Sequence, residues 1–220
     1  FIRQIRSKEY TPFKSDYWVT GIMIFILGLF KKIVIADYLA RFVNSFYSDI
    51  SQGLFIPLVD TWLSTISYSL QIYFDFSAYS EMAIGIGLLY GIKLPINFNS
   101  PYKSLSLIEY WNRWHITLSN FIRDYLYIPI FIKLSSKFSI GFANHLLAIV
   151  ISMTISGFWH GANWTFLLWG FVHGIALALN HCFKAYKLFP DFPKVIKRIL
   201  LLIFINITWV LFRAPSFSEV

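Results

Sequence analysis

Charge is what this sequence has least of: 14% of its 220 residues are Asp, Glu, Lys or Arg, against 57% hydrophobic and 20% aromatic. Soluble domains carry about 25% charged residues, so an ordinary water-soluble fold is excluded. Cysteine is nearly absent. Cys182 stands alone, which rules out an intrachain disulfide and a thiolate metal cluster, and it reads as inert packing. No His-x3-His or carboxylate–His pair has ligand spacing, and no metal is expected. No Gly-x-Ser-x-Gly elbow is present, which argues against a serine nucleophile. Repeats, Gly/Ser linkers and low-complexity tracts are missing too, so residues 1–220 read as a single transmembrane domain. The net charge of +8 does not signal nucleic acid, because the basic residues sit in connectors and form no dense patch interleaved with aromatics.

What is present is hydrocarbon in long runs. Between Phe138 and Phe183 there is no Lys, Arg, Asp or Glu. A crossing takes about 20 apolar helical residues, so two fit there. Leu54–Ile92 holds only Asp60, Asp75 and Glu81. Ile199–Phe212, closed by Arg198 and Arg213, is short for a span unless those arginines snorkel. Trp18–Phe30 is interrupted by Lys31 and Lys32 before Ile33–Ala36 resumes, and still reads as a span. The class is therefore all-α: a polytopic bundle in a lipid bilayer. Lys184, Lys187, Lys194, Lys197 and Arg198 crowd one short loop, which the positive-inside rule places in the cytoplasm, and Arg3, Arg6, Lys8 and Lys14 follow the same logic. The sequence begins at Phe1 and stops at Val220 just after an apolar run, as the central to C-terminal portion of a longer chain would. Leu94–Pro101, with two prolines and two asparagines, is the firmest loop.

Polar residues inside such runs need a reason. Helical periodicity puts Tyr68, Gln71, Asp75, Tyr79 and Met82 on one stripe, a polar seam through a membrane helix, with Glu81 well around from Asp75. A membrane carboxylate faces a bundle interior or a wet cavity, where it either bonds a neighbouring helix or serves a site. Leu107–Tyr127 mixes Glu109, Arg113, Arg123 and Asp124 with aromatics, as an interfacial or re-entrant helix does. On it Glu109 and Arg113, Trp111 and His115, and His115 and Ser119 all have i,i+4 spacing. His115 and His160 each lie among tryptophans, in Trp111–Ser119 and Ser156–Trp164. Imidazole titrates closest to neutrality, so both are candidates for proton transfer. After His160, Gly161–Ala–Asn163 allows a bend and Asn163 can cap the next helix. A hairpin turning near His160 and three shorter bent helices both fit. His145, His173 and His181 read as packing or interface hydrogen bonds.

Five stretches, in order, resemble the motif series of the membrane-bound O-acyltransferases, in the bacterial branch that modifies alginate and other polysaccharides and peptidoglycan. They are Tyr68–Gly85, Leu94–Tyr102, Trp111–Ser119, Arg123–Pro129 and Gly157–Trp164, with Phe212–Arg–Ala214 similar to a later motif. Ala78 and Glu81 stand where Gly and Asp are expected, and the Gly-Gly turn after Pro129 is missing. The resemblance covers nearly the whole chain and lacks the family's early and final helices. It implies a multi-helix bundle with a central tunnel or funnel and re-entrant helices. It maps the family's catalytic histidine onto His160 and a second motif histidine onto His115, with Asp75, Tyr79, Asn112, Arg113, Trp159 and Asn163 as substrate-binding candidates. Of these, Asn163, Asn112 and the Trp159 indole N–H are candidate oxyanion donors. The implied reaction moves an acyl group, most simply acetyl from acetyl-CoA with no tightly bound cofactor, to a surface polysaccharide or to an exported SGNH-hydrolase-like acetyltransferase. D-alanyl export to teichoic acid and a transporter or channel without bond chemistry are the alternatives.

Overall fold

The computed structural model describes residues 2–6, 15–187, 190 and 192–217, and they form helices with no strand among them. Lys8, Lys14 and Ser218–Val220 lie outside the described residues. Two compact units divide the chain, 1–97 and 98–220.

The first unit is built on α1, Ser15–Ser51, and α2, Leu58–Leu89. With 32 residues, α2 is about 48 Å long. The two helices approach backbone to backbone at glycines. A Cβ on Gly21 would lie 2.7 Å from the Gly85 carbonyl oxygen, and one on Gly28 would lie 2.8 Å from that of Ala78. Small residues at such crossings replace the hydrophobic drive that a membrane does not supply. The lysines that interrupt the apolar run do not end the helix. They fall in a π-helical stretch, Lys31–Ala36, where the wider turn lets consecutive residues face one neighbour. Lys31 bonds Glu81 at 2.5 Å, and Lys32 reaches Asp75 at 2.6 Å and Asp37 at 2.8 Å. The Asp75 stripe thus resolves as a carboxylate paired with a cation. Glu81, expected to stand apart from Asp75, serves the adjacent lysine. Tyr79 is 66% exposed on α2.

In the second unit Pro101–Lys103 forms one 3₁₀ turn. After it come α3 (Leu107–Trp111), α4 (Ile116–Ile122), a π-helical turn (Arg123–Tyr127), α5 (Ile128–Lys137), α6 (Phe142–His160), α7 (Trp164–Tyr186) and α8 (Lys194–Arg213). The amphipathic stretch 107–127 is therefore not one helix. It breaks at His115, whose φ of +42° and ψ of +56° reverse the chain, so the i,i+4 relation of Trp111 and His115 does not exist. Ser106 caps α3 by accepting from the Glu109 N–H at 3.1 Å, while the Glu109 carboxylate accepts from Leu105 N–H at 2.8 Å. The sequence Ser106-Leu-Ile-Glu109 has the capping-box pattern, but the carboxylate reaches Leu105, one residue before the cap, instead of the cap's own N–H.

The uncharged run is a hairpin, not three bent helices. α6 and α7 cross where Gly157 and Gly170 face one another, each so near that a Cβ would overlap a carbonyl, that of Phe166 or of Met153. The turn after His160 ends at Asn163, whose side chain accepts from Thr165 N–H at 3.2 Å, the expected cap. The short apolar run 199–212 becomes a full span because α8 starts at Lys194 and includes Lys197 and Arg198, residues expected in a loop. Among the described residues four helices, α1, α6, α7 and α8, are long and apolar enough to cross a membrane. The protein is an all-α, multi-pass membrane protein.

Gly170→Leu is expected to force α6 and α7 apart and cut the protein recoverable in mild detergent severalfold. Size-exclusion recovery checks it, and wild-type recovery would show that the close crossing is not needed.

Candidate active site

The second unit closes on a cluster of aromatic rings. Trp169, in the second turn of α7 and 2% exposed, has ring centroids of Trp111 at 6.0 Å, His173 at 4.7 Å, His160 at 5.4 Å, Trp209 at 6.1 Å and Phe212 at 5.2 Å around it. Trp114 joins through Trp209 at 5.3 Å and stacks on Tyr110 at 5.6 Å. Spacing produces this convergence. Trp169 and His173 are one turn apart on α7, Thr208, Trp209 and Phe212 share a face of α8, and the break after Trp111 turns Trp114 toward that face. Sequence reading passed over Trp169 and Thr208. Their signal was the Trp-x3-His spacing on α7 and the lone Thr-Trp pair in the last apolar run.

His160 ends α6 and is half-buried at the edge of this cluster. Phe212 lies 5.1 Å, Phe166 6.4 Å and Trp159 5.1 Å from its ring. Rings on three sides restrict its rotamers. The Gly161 turn leaves one side toward the hairpin's end, where Trp159 is 66% exposed. His173, by contrast, is buried: its Nε2–H donates to Thr208 Oγ1 at 3.0 Å, because that hydroxyl already donates to the Ile205 carbonyl at 2.9 Å. It belongs to packing, as its place in the sequence suggested.

His115 is the second motif histidine, and it sits where α4 begins. Burial, with the charge of His160 adding to it, lowers its pKa from 6.5 to about 4. The influence of His160 on His115 ties the two histidines to one neighbourhood within the second unit. The left-handed backbone at His115 costs of order 1–3 kcal/mol, and such strain gathers at functional sites. A Ser119–His115 dyad does not form, since the Ser119 hydroxyl donates to the Trp114 carbonyl at 3.1 Å.

The other candidates separate by what they bond. Arg113 donates to Glu109 at 2.8 Å and to the Asn99 carbonyl at 3.1 Å, while Asn99 N–H donates to the Arg113 carbonyl at 3.0 Å. It braces the loop before α3. Asn163 uses both ends of its amide, the oxygen for its cap and the nitrogen to donate to the Pro215 carbonyl at 2.7 Å, so it fixes the hairpin turn to the end of α8. Asn112 instead lines a cavity of about 280 Å³, beside Trp111, Ser119, Arg123, Tyr127, His145 and His181. The Trp111 and Trp169 indole N–H groups are buried without a hydrogen-bond partner among the described residues. An unmade buried donor is costly, and these two are available to an acceptor oxygen. Asp75 and Tyr79 lie in the first unit, where Asp75 meets Lys32.

A half-buried histidine at the bend of a membrane hairpin and a second one held neutral by burial stand among aromatic walls in the second unit. Residues 3–218 match the membrane-bound O-acyltransferase family, and the chain belongs to it. A peptidoglycan O-acetyltransferase of Helicobacter pylori is 46% identical over 97% of this chain and 39% of its own length. A probable alginate O-acetylase AlgI of Azotobacter vinelandii is 39% identical over 91% of this chain and 38% of its own. A teichoic acid D-alanyltransferase of Streptococcus thermophilus is 39% identical over 54% of this chain and 29% of its own. The chain thus spans under two fifths of the length of these relatives.

The depressed pKa keeps His115 neutral from pH 8 down past 5. An unfolded chain takes its proton near 6.5, so between about 6.5 and 4 the unfolded state holds more protons and stability falls as pH is lowered. Histidine-labelled NMR, with His115→Gln assigning the signal, is expected to show a midpoint near 4; a midpoint of 6.5 would place the ring in water.

Proposed function

We propose that the protein is an O-acyltransferase of the bacterial inner membrane that passes an acetyl group from a thioester donor toward hydroxyls of a cell-surface polysaccharide, alginate-like or peptidoglycan, with His160 as general base. The observation that carries this is His160 itself, a half-buried imidazole held by Trp169, Phe212 and Phe166 at the bend of a membrane hairpin in a chain of this family. Its relatives with the broadest match are named for acetyl transfer to peptidoglycan and alginate.

The steps follow from acid–base chemistry. The neutral imidazole of His160 accepts the proton of the acceptor hydroxyl as that oxygen attacks the thioester carbonyl. The oxyanion of the tetrahedral intermediate needs hydrogen-bond donors, for which the indoles packed against His160, those of Trp169 and the exposed Trp159, are the candidates. Collapse breaks the carbon–sulfur bond, and the imidazolium returns its proton to the departing thiolate. No net proton is gained or lost. His115, kept neutral, adds no positive charge that would raise the cost of protonating His160. Acetyl-CoA is the simplest donor, and the acceptor is either the polysaccharide or an exported SGNH-hydrolase-like acetyltransferase that carries the group onward. A D-alanyl group bound for teichoic acid is the second reading, favoured by the relative of that name. A transporter without bond chemistry is the third.

His160→Ala is expected to lower ester formation about 10²- to 10⁴-fold, the usual worth of a general base, with normal protein in the membrane. His115→Ala should also impair it. Ester on purified polysaccharide per extracted protein is the measure, and retained ester in His160→Ala would remove the base. A transporter would keep its flux in that variant.

Asp75→Asn keeps the shape and removes the charge that Lys32 now shares between Asp75 and Asp37. Ester per protein is expected to fall severalfold with folded protein retained. Unchanged ester would return Asp75 to a purely structural role.

A further inference from the structure

Three polar side chains on three different elements meet on the wall of the cavity, away from His160. Tyr127 ends the π-helical turn Arg123–Tyr127, His145 is in the first turn of α6, and His181 is near the end of α7. The Tyr127 hydroxyl lies 2.7 Å from His145 Nδ1, and His145 Nε2 lies 3.3 Å from His181 Nδ1. With both imidazoles neutral, one directed chain fits the two contacts: Tyr127 O–H donates to His145 Nδ1, His145 Nε2–H donates to His181 Nδ1, and the His181 Nε2–H is left over. The Tyr127 ring also stacks on Phe131, at 5.9 Å and 12°. Polar side chains in a membrane protein are kept at a cost, and this array does not enter the acyl-transfer steps.

We propose that Tyr127, His145 and His181 form a hydrogen-bonded latch that holds the π-helical turn against α6 and α7 and so sets the shape of the cavity the acyl donor occupies. The proposal rests on the acyltransferase reading for its ligand, though not for its geometry. The turn carries Arg123 and follows Ser119 and Asn120, and these line the same cavity as Asn112. A π-helical segment has a poorer backbone bond pattern than an α-helix, and such segments recur at functional sites. Fixing it from outside by side chains is therefore needed if the polar rim is to stay in one place. The three residues are positioning residues, acting on the donor through the turn.

Tyr127→Phe removes one hydroxyl and keeps the ring on Phe131, so folding should survive. In membranes bearing the protein, with acetyl-CoA as the probe, KM is expected to rise about five- to tenfold while kcat stays within twofold, the scale of one buried hydrogen bond. His145→Phe removes both hydrogen bonds of the array and should raise KM at least as far. The double variant should be no worse than His145→Phe alone, because the Tyr127–His145 bond is lost once. Independently of activity, amide exchange of the 123–131 segment is expected to quicken in all three variants. Additive KM effects, a fall in kcat alone, or unchanged exchange would each overturn the latch. If the wild type transfers nothing from acetyl-CoA, the donor assignment fails, and the exchange measurement alone then decides for or against the latch.

Discussion

Water does not reach the hydrocarbon core of a bilayer, so a polar group placed there is costly unless it finds a partner within the protein. That constraint organises this chain. Lys31 and Lys32 stand in the middle of an apolar helix because Glu81, Asp75 and Asp37 receive them. His173 is buried because the Thr208 hydroxyl accepts from its N–H and itself donates to the Ile205 carbonyl. Asn163 closes a turn with both ends of its amide. His160 differs from these, because its walls are rings rather than hydrogen-bond partners, and a ring wall orients an imidazole without fixing its proton.

Glycine makes the rest possible. Gly21, Gly28 and Gly85 in the first unit, and Gly157 and Gly170 in the second, let backbones approach so nearly that aromatic side chains elsewhere on the same helices are pressed together. Gly157 is one turn before His160 and Gly170 next to Trp169, so the crossing that joins α6 to α7 also sets the distance between the candidate base and its main ring contact.

Much of the fold could be read from composition and spacing, for a physical reason. Hydrocarbon length is a direct observable in sequence, so the spans and the loop 94–101 could be drawn before any coordinates, whereas 138–183 fitted a hairpin and three shorter bent helices equally well. Asn163 as a cap and Glu109 with Arg113 as a pair followed from one-dimensional rules. What could not be drawn depends on backbone choices with no strong local signal. The left-handed His115 breaks a stretch whose pattern is evenly helical, and the π-helical turn at Lys31–Ala36 brings two lysines to one neighbour against α-helical arithmetic. The aromatic cluster needed α3, α6, α7 and α8 together, and no pairwise spacing shows four elements at once. The array of Tyr127, His145 and His181 was hidden likewise, since its members are far apart in sequence.

The central claim is that the rings around Trp169 hold His160 in the orientation that transfer requires. Trp169→Phe keeps a buried ring and shifts only the contact, so turnover at saturating acetyl-CoA, measured per folded protein, tests it most directly. A misplacement of an ångström costs on the order of a hundredfold in rate, so a loss of tenfold or more in kcat with little change in KM is the result expected. Wild-type turnover in Trp169→Phe would contradict the account, because His160 would then be oriented by something other than the ring it leans on.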